Sequence, residues 1–227
     1  MRWQDLDGDG MGLLPESSIE GSAMSAAVGS HEDRDALQLA RPGAKSFFVW
    51  IGLALLGFPL GGLLGHVVGG RVDSVMPSLI GGALTGAGIG LAQWFMLRRN
   101  PGVGLEWVVA TSAGLAAGLT LGAMAVGYET TISQLATMGA ISGAFVGVAQ
   151  GLLLRGKFPL WHVWMLAMPP LWALGWVVTT AGGIAVEKQF TVFGAYGAIT
   201  FGALSALLLI AGMRSGMSVH GRADRTG

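Results

Sequence analysis

The chain has no cysteine, only two tyrosines and few charges. Without cysteine there are no disulfides, thiolate-bound zinc ions, iron–sulfur clusters or cysteine nucleophiles. Charged residues are 11% of the 227, against roughly 25% in soluble domains. None of them falls near the centre of a long apolar stretch, which argues against the buried carboxylates and amines that proton relays and coupled pumps use. No carboxylate dyad, metal-ligand cluster or nucleophile beside a base stands in the apolar region, so no catalytic residue and no cofactor is expected, and the protein is read as a non-enzyme. The formal net charge is zero, and no basic stripe interleaved with aromatics marks a nucleic-acid partner.

What the chain does have is apolar length. A bilayer core of about 30 Å needs roughly 20 apolar residues per helix. Six segments qualify, near 47–69, 75–97, 107–127, 134–154, 161–185 and 190–213. Lipid leaves backbone groups no outside partner, and runs without in/out alternation are not barrel strands, so all six are expected to be helices. Lys and Arg fall on one side of this pattern: Arg34, Arg41 and Lys45 before the first span, Arg98, Arg99, Arg155 and Lys157 between spans, and Arg214, Arg222 and Arg225 after the last. The opposite side has Arg71 and Lys188. The positive-inside rule then places both termini in the cytoplasm, with the spans expected in the inner (plasma) membrane.

The spans repeat. Gly82, Ala83, Gly86, Ala87, Gly90, Ala92, Gln93, Leu97 and Arg98 recur 57 positions later as Gly139, Ala140, Gly143, Ala144, Gly147, Ala149, Gln150, Leu154 and Arg155, and Trp50, Trp107 and Trp164 share that offset. The chain therefore reads as three hairpins, about 46–100, 101–157 and 158–214, between an acidic tail over 1–45, expected to be disordered, and a short basic tail over 214–227. Two spans per unit give all copies one orientation, which predicts a pseudo-threefold six-helix bundle. In the third copy a two-residue shift aligns Gly202, Ala203 and Arg214 with Gly143, Ala144 and Arg155, and puts Leu209 where a third glutamine would stand.

Small residues recur every fourth position along every span, for example Gly57, Gly61, Gly65 and Gly69 in the first. Such glycine zippers let helix backbones approach closely, within the bundle or between protomers. The tryptophans stand at the basic ends of spans, joined there by Trp94 and Trp161, which fits an aromatic belt at the membrane interface.

Gln93 and Gln150 are the most specific polar signal, since an amide within a span is costly to bury and both stand five residues before an arginine. They form either an interhelical hydrogen bond or, with His66, the lining of a polar cavity. A bis-histidine haem is not expected, because no second histidine stands at the depth of His66. Pro169 and Pro170 remove two backbone donors inside the fifth span and predict a kink or local unwinding there. In the tail, Asp5, Asp7, Asp9, Gly10 and Glu16 fit the string of an EF-hand calcium loop, though flanking helices are not evident.

The stretch Gln93-Trp94-Phe95-Met96-Leu97-Arg98, a Gln-Trp-x-x-Leu-Arg motif, resembles a segment of uncharacterised bacterial multipass membrane proteins built from glycine-rich hairpins. The resemblance covers residues 46–214 and implies no established activity. The leading expectation is a packing or assembly protein that associates, through its glycine-rich faces, with a second copy or another membrane protein. The alternative is a passive channel or facilitator for a small neutral solute or lipid, and a calcium-regulated membrane protein is a third reading. Apart from the lipid bilayer, the sequence identifies no partner.

Overall fold

The computed structural model describes residues 44–98 and 103–223. They form six α-helices: α1 (Ala44–Gly69), α2 (Val75–Leu97), α3 (Glu106–Ala125), α4 (Ile132–Leu154), α5 (Trp161–Ala181) and α6 (Ala195–Ala223), with a 3-10 turn at Val186–Lys188. No strand occurs among the described residues. All six helices contain a segment long and apolar enough to cross a membrane. Each packs on the helix before and after it in the chain, and α6 returns to α1, so the helices close into a ring.

The glycine rows make this packing possible. A methyl group built on Gly86 would lie 2.7 Å from both Ser112 Cα and Thr111 O of α3, and one on Gly61 would lie 2.8 Å from Thr85 O of α2. Gly118 meets Ser142 of α4 in the same way, and Gly143 meets Met168 of α5. In lipid, where helix association depends on close van der Waals contact, this backbone-to-backbone approach is the main adhesive. The glycine faces are thus taken up within the chain.

Three sequence expectations change. The fifth span ends at Ala181 and the sixth begins at Ala195, so residues 182–194 do not cross the membrane as helix. Helix α5 stops at Gly182 and Gly183, the latter with φ of 79°. Pro169 and Pro170 sit inside an uninterrupted α5, so no unwound segment forms there. Pro170 is exposed and Pro169 half-buried, and Met165 O, which loses its intrahelical donor to Pro169, faces α4, where a methyl on Gly147 would lie 2.9 Å from it. Close packing by a glycine accommodates the freed carbonyl and keeps the helix whole. Finally, α6 runs on to Ala223, through most of the stretch read as a basic tail. The candidate calcium residues Asp5, Asp7, Asp9 and Glu16 lie outside the described residues.

Residues 182–194 turn back into the ring. Thr191, Val192 and Phe193 are buried. Thr191 Oγ1 lies 2.7 Å from Thr85 Oγ1 of α2 and donates to Gly62 O of α1 at 3.3 Å. Phe193 stacks on Phe58 of α1, with centroids 4.8 Å apart, and packs against Trp172 and Phe201. Gly175 leaves the space for it, since a methyl there would lie 2.7 Å from the Phe193 ring.

Gln189 fastens this segment. Its backbone O accepts from Val72 N at 3.0 Å, its Oε1 accepts from Arg71 Nε at 3.1 Å, and its Nε2 donates to Tyr128 O at 3.0 Å. One side chain therefore ties together all three loops at the end of the ring opposite Arg98 and Arg155. Gln189 holds a left-handed φ of 53°, which a non-glycine residue adopts only when its surroundings compensate. Gln189→Ala is expected to cost about 1 kcal/mol and to speed amide hydrogen exchange at residues 190–193 relative to α3. Unchanged exchange there would show that the interior contacts alone hold the segment.

Candidate functional site

At the basic end the ring interior carries a polar layer built by α2 to α5. Gln93 lies near the end of α2, Trp107 and Thr111 in the first turns of α3, Gln150 near the end of α4 and Trp164 at the start of α5. Alternating helix direction puts these positions at one depth. Trp107 Nε1 donates to Gln93 Oε1 and Trp164 Nε1 to Gln150 Oε1, each at 3.1 Å and each across 14 residues. Gln150 Nε2 donates to Gln93 Oε1 and to Thr111 Oγ1, both at 2.9 Å. Thr111 Oγ1 in turn donates to Trp107 O at 2.7 Å.

The chemistry of the donors fixes the orientation of both amides. An indole N–H can only donate, so each amide oxygen must face its tryptophan and each NH2 must point away from it. Gln150 is fully buried and Gln93 is 5% exposed. Burying such amides is costly unless they are paired, and here four acceptor oxygens and four donor groups interlock.

The repeated tryptophans are therefore core residues and not an interfacial belt: Trp50, Trp107 and Trp164 are 2%, 1% and 0% exposed. Trp94 and Trp161 are half-buried, beside Arg98 and Arg155 respectively. Trp50 repeats the pattern at the α1–α6 seam, donating to Ser205 Oγ at 2.9 Å.

The contacts of α6 also revise the alignment of the third hairpin. A methyl on Gly202 would approach Ile51 and Ala54 of α1, just as one on Gly90 approaches Val108 and Thr111 of α3 and one on Gly147 approaches Met165 and Met168 of α5. Gly202 thus matches Gly90 and Gly147, and three residues further on Ser205 matches Gln93 and Gln150. Leu209, the position indicated by the sequence, lies one turn beyond.

No protein-family model, curated protein or solved structure matches the chain. Gln93 and Gln150 come together, but His66 does not join them. It stands near the far end of α1, roughly 18 Å along the bundle, with its ring tilted 5.0 Å from Phe190 and its buried Nδ1 unpartnered among the described residues. Between the two levels, Phe58 of α1 meets Trp172 of α5 and Phe201 of α6 at 5.8 and 5.0 Å. Side chains from helices that are not ring neighbours thus touch across the interior at both levels. Among the described residues no cluster of three or more metal-ligating side chains occurs.

Sequence reading missed Trp107, Trp164, Thr111 and Ser205 as members of the layer. The available signal was the recurrence of Gln and Trp at one spacing, 93 with 107 and 150 with 164.

Proposed function

We propose that the protein is a non-enzymatic packing or assembly element of the bacterial inner membrane: three parallel hairpins in pseudo-threefold arrangement, both ends cytoplasmic, that bind a second copy or another membrane protein. The observation that supports a solid bundle over a conduit is the pair of side-chain layers meeting across the ring, one polar and one aromatic. Because the glycine rows serve contacts inside the chain, a partner would meet the outward apolar ridges, such as Leu56, Leu60, Leu63 and Val67 of α1, all exposed. Lipid covers whatever a partner does not.

Two measurements test this reading. Native mass spectrometry and crosslinking in lipid nanodiscs are expected to detect a homo-oligomer or a co-purifying membrane protein; a strictly monomeric species with neither would sink the assembly role. Stopped-flow swelling of proteoliposomes with glycerol or urea is expected to match protein-free vesicles within twofold. A tenfold faster flux would favour the facilitator reading, with Gln93 and Gln150 on the path.

A further inference from the structure

The polar layer has three corners under the proposed threefold relation, and its amide hydrogen bonding is complete at the one served by Gln150 Nε2. Gln150 Nε2 has two acceptors, Gln93 Oε1 on α2 and Thr111 Oγ1 on α3. Moving one hairpin back around the ring, a step that rests on the proposed threefold relation, carries these acceptors to position 205 on α6 and position 54 on α1. At 205 the residue is serine, which ends at Oγ where a glutamine would continue by a methylene and an amide. At 54 it is alanine, which has no acceptor. Ser205 Oγ is already engaged, accepting from Trp50 Nε1 and donating to Gly202 O at 3.3 Å. Gln93 Nε2 consequently makes no hydrogen bond among the described residues; Gln93 is more than nine-tenths buried and its oxygen is held by Trp107 and Gln150, while Nε2 itself is not completely enclosed by protein atoms. It cannot rotate to find a partner without giving up those two bonds.

We infer that the third corner, between Gln93 Nε2, Ser205 and Ala54, is a binding site for one buried water molecule. The site has the chemistry such a water needs: an N–H of the Gln93 amide to donate to it, and spare lone pairs on Ser205 Oγ and Gln150 Oε1 to receive its protons. A buried water typically makes about three hydrogen bonds to groups the protein leaves unpaired. The shortening from glutamine to serine gives it room beside Ala54, where the other corners are filled by side chain. Symmetry is broken here by exchanging a side-chain amide for a solvent molecule.

Solid-state NMR on the full chain in lipid bilayers, with 15N-labelled glutamine, tests the site by polarisation transfer from water. The Gln93 side-chain NH2 is expected to receive magnetisation severalfold faster than that of Gln150. S205Q supplies the missing amide, and it is expected to reduce transfer at Gln93 severalfold and to raise the thermal midpoint. Should S205Q fail to fold, A54S places an acceptor at the position matching Thr111 and is expected to reduce the transfer as well. Transfer to Gln93 no faster than to Gln150 in the unmodified protein overturns the inference, as does transfer unchanged in whichever variants fold. Either result leaves the packing and assembly reading to be decided by flux and native mass spectrometry.

Discussion

Gly86→Val is expected to be among the most destabilising single substitutions in the protein, with a loss of about 3 kcal/mol or more. Even the first carbon of the new side chain would sit 2.7 Å from Ser112 Cα and from Thr111 O. Both are backbone atoms of α3, so no rotamer change can make room and the helices must separate. Overpacking a dense core typically costs about 1–3 kcal/mol. Here the separation also strips contact from the whole α2–α3 seam and moves Gln93 away from Trp107. Gly52→Ala is the control, because nothing lies within 4 Å of a methyl at that position, and relief of glycine in a helix is expected to stabilise by up to about 1 kcal/mol. Unfolding in mixed micelles, read by tryptophan fluorescence, compares the two. Equal midpoints would mean that the close helix approaches carry little of the stability.

Gln150→Leu is expected to cost about 2–3 kcal/mol, although leucine fills a similar volume. It removes three hydrogen bonds at once and leaves Trp164 Nε1 buried without an acceptor. A single interhelical hydrogen bond in a membrane averages only about 0.6 kcal/mol. A buried donor stranded by loss of its partner costs about 1–3 kcal/mol, and this second effect dominates. Ser205→Ala strands only Trp50 Nε1 and is expected to cost about 1 kcal/mol less. The same unfolding assay ranks the two; a Gln150→Leu protein as stable as the parent would show that the layer sets orientation without adding stability.

The six helices were legible because lipid leaves a long apolar run no other way to satisfy its backbone, and the glycine rows were legible because their period matches the helix. The tryptophans were misplaced because position along a span shows depth but not the direction in which a side chain points. Trp107 and Trp161 both stand at the start of a helix, yet one is buried in the ring and the other half-buried. The segment 190–193 was read as helix because Phe190, Thr191, Val192 and Phe193 continue the apolar run of α6. Its actual course depends on Gln189, whose three partners come from 61 to 118 residues away. Ser205 was overlooked for a related reason. Matching arginines at span ends shifted the alignment toward the membrane boundary, whereas helix contact places it by the glycine at 202.

The closed ring also has a consequence for the order in which the protein is made. Phe58 enters the membrane with the first helix, but the rings that cover it, Trp172, Phe193 and Phe201, all belong to the last hairpin. Trp50 must likewise wait for Ser205, 155 residues later. At a synthesis rate of about 5–20 residues per second, the inner face of α1 remains uncovered for roughly 7 to 30 seconds. Through that interval the nascent chain is an open crescent with an aromatic edge, and only arrival of α6 removes it.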